Sequence, residues 1–547
     1  MPMYDIIIRG GIVYDGINTE PRRVDIAIKG ERIAYIGDLR NEGADVVIDA
    51  NKLVVAPGFI DMHSHSDATI LVYPDSSSKV RQGVTTEVVG NCGISMAPIV
   101  DDHAYLLKRF VDQYFPGLSY LLNWKWKTLI DYYKVVDIVR PAVNLVPLVG
   151  HNTLRIAAMG FEARGPTDSE IEDMRRMLEY EMEGGMWGLS TGLFYAPGSY
   201  AKTEEVIELA KVVRRYGGIY ASHIRDEAHG VLSAIEEAIR IGREAGVSVQ
   251  ISHIKAMGKA QWGLSSKIID IIRKARADGV DVHADVYPYD AGQTALLQAL
   301  PDWAKEGGPG KAIERLKDNE TAEKIRVEME EGLMSGQNFV YELGWDNIII
   351  AATEKGDPEV EGKSVAEIAR LRNKRPFDVF RELLIINNGN VSMIVRAMDE
   401  GDIVNFMRQD WVYIGSDQNG IRPGYGPLGG RQHPRAYGTF PRVIRRYVLE
   451  KGILMLGEAI AKMTGRPAFR LGLKDRGIIR EGYYADIVVF NPETIADRAT
   501  YEEPTLYPTG IEYVIVNGKI TVSKGYETGV RNGKVLWRTE HKAYAHT

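Results

Sequence analysis

A single cysteine, Cys92, stands among 547 residues, so no disulfide can form within the chain. No window approaches the roughly 18 uninterrupted apolar residues that a membrane span needs. The first residues, MPMYDIIIRGG, show no basic region leading into an apolar stretch, which predicts no secretory signal and a cytoplasmic protein. Positive charge is not in excess: the net charge of −7 and the pI near 6.0 argue against nucleic acid or anionic membranes as partners. Internal repeats and low-complexity segments are absent as well. What remains is 45% hydrophobic and 26% charged residues, the balance of a soluble globular protein, in a chain too long for one ordinary core.

Two textures alternate along the chain. Short β-branched runs between glycine turns fill residues 1–57 (Asp5–Arg9, Gly11–Tyr14, Val24–Ile28, Arg32–Ile36, Val46–Asp49). They return near the C-terminus in Asp486–Phe490, Tyr513–Val516, Lys519–Val522 and Val535–Arg538, which predicts one small β-domain split between 1–57 and 470–547. Between them, apolar strands alternate with amphipathic helices, the pattern of parallel βα units. Eight strand candidates (Phe59–His65, Thr85–Cys92, Asn144–Gly150, Gly188–Leu193, Ile219–Ile224, Ser248–Lys255, Asp281–Tyr289, Trp411–Asp417) predict a (β/α)8 barrel over 58–469. Val391–Ala397 is left outside that count. The segment 288–345 reads as a helical insertion, expected to supply a pocket wall through Leu296, Leu297 and Leu300.

In such a barrel the functional side chains sit at the C-terminal ends of the strands. His63 and His65 end the first candidate strand, Cys92 the second, His223 the fifth, His253 the sixth and Asp417 the last. Singly, each has an ordinary explanation: a hydrogen-bonded histidine, a small buried thiol, a turn aspartate. Six together at strand ends describe a site for zinc or a similar metal, because imidazole and thiolate hold a borderline-soft cation and a carboxylate can move a proton. His103, His229, His541 and His546 read as surface residues, and His151 and His283, nearer the strands, as residues that pack or support the site from behind.

The runs PGFIDMHSHSD (Pro57–Asp67), GVTTEVVGNCG (Gly83–Gly93), STGLFYAPGSYA (Ser190–Ala201), SHIRDE (Ser222–Glu227), ISHIKAMGK (Ile251–Lys259) and HPRAYGTFPRVIRRYV (His433–Val448) resemble the D-aminoacylases, metal-dependent amidohydrolases that cleave N-acyl-D-amino acids. The resemblance extends from about residue 4 to about residue 538. It implies that Cys92, His223 and His253 hold a main zinc ion, with His63 and His65 at a second, weaker position. It also implies that Asp417 is the catalytic acid and base, and that Lys255, Tyr287, Arg435 and Tyr195 contact a small-molecule substrate. Two departures stand out. Ser416-Asp417 is followed by Gln418-Asn419-Gly420 rather than directly by glycine, and Gln293 occupies a position where the resemblance implies a serine. Alternative readings are a dipeptidase for D-residue dipeptides and a non-catalytic barrel scaffold, the latter disfavoured because no ligand is lost. Cys92 argues against a dihydropyrimidinase-like enzyme, whose bridging ligand is typically a carboxylated lysine.

Overall fold

A computed structural model describes residues 3–423 and 429–538; His541 and His546 lie outside them. The two ends of the chain build one nine-stranded sheet. Ile487–Phe490 pairs antiparallel with Val54–Pro57, and Val54–Pro57 pairs parallel with Tyr4–Val13, which joins the C-terminal strands to the N-terminal ones. Asp5–Arg9 and Gly11–Tyr14, expected as two strands, are a single strand, Tyr4–Val13, with an irregularity between Ile8 and Gly11. Alternate residues of this sheet (Ile6, Ile8, Ile26, Ile28, Val489) form their own buried cluster, as period-two burial requires.

Val535–Arg538 is not a strand of that sheet. The tail runs along the middle of the molecule instead: Leu145 N donates to Lys534 O at 2.9 Å, and Arg538 N donates to Gly185 O at 2.9 Å. Its partners come from the strand Asn144–Pro147, from Asp137 and from Gly185, so the pattern alone could not say which elements they join.

The central segment forms two parallel sheets. One has six strands in the order Val412–Ile414, Val282–Val286, Ser248–Ile251, Ile219–His223, Gly188–Gly192, Val149–Gly150; the other has Phe59–Asp61, Val84–Val89 and Asn144–Pro147. Backbone hydrogen bonds cross both seams. Met62 N donates to Ile414 O at 3.2 Å on one side, and Trp187 N, at the start of Gly188–Gly192, to Pro147 O at 2.8 Å on the other. Register places Gly192 beside His223, Ser222 beside Ile251, and Val286 beside Ile414, so the C-terminal ends of these strands lie level. Helices cover the outside; Val231–Ala245 buries Ile235, Ala238 and Ile239 on one face and stops at Gly246, whose φ of 67° caps it in the left-handed region.

The intervening segment differs from expectation. It reaches beyond 345, and it is not purely helical: Ala291–Ala295, Ile348–Thr353 and Val391–Arg396 form a separate three-stranded antiparallel sheet. AGQTA has little intrinsic strand preference, and its partner Val391–Arg396 lies about a hundred residues away, so only the tertiary pairing makes it a strand. Leu296, Leu297 and Leu300 are buried in the core and do not face the central pocket.

Candidate metal centre and active site

The candidate residues gather at the level strand ends, but mostly just past the strands. His223 is the last residue of its strand, whereas Cys92, His253 and Asp417 lie two to three residues beyond theirs. These three adopt left-handed backbone, with φ of 54°, 35° and 50°. Such conformations cost non-glycine residues on the order of 1–3 kcal/mol and persist only where the surroundings hold them. Around Asp417 the hold is visible. Lys79, fully buried, donates to Asp61 Oδ2, Ser416 Oγ and Gln418 O, each at 2.7 Å, and lies 2.9 Å from Glu87. Ser416 N donates to Asp61 Oδ1 at 2.8 Å and Asp417 N to His63 O at 2.8 Å. Next to Cys92, the strand of Gly192 comes so close that a Cβ there would stand 2.2 Å from Cys92 O.

Cys92 Sγ is 3.3 Å from His63 Nε2, 3.4 Å from His253 Nε2 and 3.8 Å from His223 Nδ1. Tetrahedral ligation, with sulfur at about 2.3 Å and nitrogen at about 2.0–2.1 Å from zinc, separates the donor atoms by about 3.5 Å. The spacing and the donor set therefore fit a transition-metal ion. Ligand atoms of His63, Cys92, His253 and Asp417 lie within 4.8 Å of one another, as do those of His223, Glu227 and His253. His65 stands further out. It immediately precedes the short helix Ser66–Thr69, and its Nε2 is 3.3 Å from Asp417 Oδ1.

Two carboxylates that sequence reasoning missed back these rings. Glu227 Oε1 is 3.0 Å from His253 Nδ1, and its Oε2 is 3.8 Å from His223 Nε2. Asp285 Oδ1 accepts from His253 N at 2.7 Å and lies 3.3 Å from His63 Nδ1. Carboxylates behind ligating histidines fix the ring orientation and tautomer. A signal existed for both: Glu227 closes the run SHIRDE four residues after His223, and Asp285 is an acid within the buried strand Val282–Val286.

Burial resists a charge on His63, but Asp285 and Asp417 outweigh it and raise that ring; burial drives the chemistry of the other histidines in the cluster. It lowers His223 well below its ordinary value and His65 to about 4, which leaves neutral imidazoles suited to a cation. Burial also pushes the Cys92 thiol up, so a thiolate here requires a positive charge beside it. Asp417 behaves oppositely: burial resists its ionisation, but the Arg435 guanidinium and the neighbouring histidines outweigh that and hold it well below the usual carboxylate range.

The substrate-side residues also line this pocket. Tyr195 packs on the His223 ring at 4.6 Å, and its hydroxyl accepts from Thr294 Oγ1 at 3.1 Å. Arg435 opens the helix Arg435–Arg442, lies over the Tyr287 ring at 4.6 Å and places Nη1 2.8 Å from Asp417 Oδ2 without hydrogen-bond alignment. Lys255 reaches the pocket by a different route from the one expected. Its strand ends at Ile251 and His253 breaks the alternation, so no strand carries it there. Apolar walls come from Phe115, Phe194, Met257, Phe339 and Val395. Among the other histidines, His229 is exposed, His103 is half-buried, and His151 is buried against Glu205.

Residues 46–326 and 431–522 match the sequence profile of the amidohydrolase family. The chain is 39% identical to a D-aminoacylase of Alcaligenes xylosoxydans xylosoxydans over 536 residues, 98% of each protein. It is 37% identical to an N-acyl-D-glutamate deacylase of the same organism, covering 94% of this chain and 93% of that one. The structure of an N-acyl-D-glutamate deacylase from Bordetella bronchiseptica, complexed with zinc and a phosphonate mimic of the tetrahedral intermediate, superimposes with a TM-score of 0.80 at 34% identity over 98% of this chain and 99% of that one. A buried Cys-His cluster at level strand ends, and likeness over nearly the whole length of these proteins, lead to one conclusion: the chain belongs to the amidohydrolase family.

Proposed function

We propose that this protein hydrolyses the amide bond of N-acyl-D-amino acids, releasing a carboxylate and the free D-amino acid. The observation that carries this is the meeting, in one pocket, of the Cys92–histidine cluster, the Asp417 carboxylate and the Arg435 guanidinium. Likeness to deacylases acting on D-amino acid derivatives supports the choice of substrate. The two parallel sheets are read as one closed (β/α)8 barrel, supported by the hydrogen bonds across both seams. Residues 58–469 then form the catalytic unit, and the chain ends on either side form the split β-domain.

Cys92, His223 and His253 would hold one zinc ion tightly, and His63 with His65, beside Cys92 and Asp417, a second more weakly. When bound, such a cation supplies Lewis-acid chemistry, polarising a carbonyl and making water more acidic. Arg435 pairs with the substrate carboxylate through its fork of donors. Asp417 takes a proton from the attacking water as the carbon–oxygen bond forms. It then delivers that proton to the amide nitrogen as the carbon–nitrogen bond breaks, because an unprotonated amine anion is too basic to leave. Tyr287, whose phenol burial keeps protonated, donates a hydrogen bond to the developing oxyanion. Tyr195 walls the His223 side, and Lys255 adds positive charge near the carboxylate. The test is kcat/KM for matched D- and L-N-acyl amino acids with zinc-loaded protein. A strong D preference is expected; equal rates would sink the reading, and cleavage confined to D-residue dipeptides would make it a dipeptidase.

A further inference from the structure

The two positions that depart from the pattern implied by the resemblance touch each other. Gln418, which follows Asp417, donates its Nε2 to Gln293 Oε1 at 2.8 Å. Gln293 belongs to the antiparallel sheet of the intervening segment, on strand Ala291–Ala295. The same Oε1 accepts from His433 N at 2.9 Å, and Gln293 Nε2 donates to Gln432 Oε1 at 2.6 Å. One side-chain amide thus joins three segments distant in sequence.

His433 continues the chain of contacts. Its Nε2 donates to Ala291 O at 2.9 Å, and its Nδ1 accepts from Arg435 N at 3.0 Å. Gln293 O also lies 3.5 Å from Arg435 Nη2. Both ends of the Asp417–Arg435 pair are therefore tied to Gln293, through the residue after Asp417 and the residues before Arg435. Beyond the Asp417 carboxylate and the Tyr287 ring, Arg435 has little else to hold it: its Nε has no hydrogen-bond partner, although the side chain is only 2% exposed. An amide suits this place because it offers an acceptor and a donor without a charge to compete for an incoming carboxylate.

Resting on the deacylase reading above, we propose that Gln293 is a positioning residue for Arg435, so that recognition of the substrate carboxylate depends on the antiparallel sheet outside the parallel strands. Gln418 and Gln293 act as one unit with the turn that leads into Arg435. Removing either amide frees the guanidinium from its aim at the carboxylate and leaves the metal cluster and Asp417 in place.

The test compares an N-acetyl-D-amino acid with its carboxamide, in which the carboxylate is replaced by a neutral group. Gln293→Met keeps the length and removes the hydrogen bonds. It is expected to lower kcat/KM for the acid about tenfold, through KM, while the carboxamide changes less than about twofold. Gln418→Met should do the same, and the double variant should be no worse than the worse single one, as coupled residues require. Carboxamide turnover and the melting temperature of the zinc-loaded protein report folding; should Gln293→Met not fold, Gln418→Met carries the same comparison. Equal losses on both substrates, unchanged acid preference, or additive effects would each overturn the proposal. A wild type that cleaves neither substrate would instead overturn the deacylase reading itself.

Discussion

Glu227 Oε1 accepts a 2.5 Å hydrogen bond from the Lys255 ammonium and lies 3.0 Å from His253 Nδ1. The carboxylate therefore serves two masters, neutralising a buried cation and orienting a candidate metal ligand. Burial opposes its charge, but Lys255 and the two histidines hold it well below the ordinary range. Glu227→Gln should weaken zinc retention about 10- to 100-fold, the usual cost of losing such a backing group. Zinc content after dialysis against a graded chelator measures this, and wild-type retention would remove Glu227 from the centre.

Asp417→Asn keeps the shape of the side chain and removes its basicity. Turnover should drop on the order of 10²–10⁴-fold in kcat with zinc content close to normal. Activity within tenfold of the wild type would assign the proton transfers to another group.

Replacing Cys92 by alanine should lower zinc content and activity together, and more than His63→Ala does. A thiolate brings a charge that water cannot replace. Metal analysis of both variants decides it; full retention in the Cys92 variant would leave the thiol as a packing group.

Arg435→Lys keeps the charge and loses the two-pronged donor geometry, so the D-over-L preference should fall with kcat/KM. Loss of a charge-assisted hydrogen bond is worth roughly 1.5–3 kcal/mol, a factor of about ten to over a hundred. A variant as selective as the wild type would exclude Arg435 from recognition.

Stability should carry its own pH signature. Glu181 is 1% exposed and accepts from Leu129 N and Ile130 N at the start of helix Leu129–Val139. Burial raises its carboxyl to about 7. A folded-state pKa above the unfolded one means that the folded protein binds the extra proton. The associated stability is complete below the unfolded pKa and is lost as pH rises through about 7. Relative to Glu181→Gln, the wild type should lose on the order of 3 kcal/mol between about pH 4.5 and pH 8. A difference in melting temperature that does not change across that interval would contradict the shift.

The sequence by itself determined which polar residues gather at one end of the parallel strands and which elements lie near them. His63, Cys92, His223, His253 and Asp417, at or just past strand ends, were legible because parallel βα units place their polar residues at one end. The helix Val231–Ala245 was legible because its apolar spacing and terminal glycine are local properties. Local signals also brought both chain ends into one sheet, although pairing Val535–Arg538 with it was wrong: alternation says that a residue has a partner without saying which.

Tertiary structure decided the rest, for reasons of distance along the chain. The strand Ala291–Ala295 exists because Val391–Arg396 pairs with it, and no local propensity announces that pairing. The left-handed backbones of Cys92, His253 and Asp417 are held by Lys79, Asp285 and neighbouring strands, contacts that a linear reading cannot supply. Glu227 and Asp285 become partners of the clustered histidines, and Gln293 of Gln418, only when separate strand ends converge, because hydrogen bonding depends on positions in space and not on spacing in sequence.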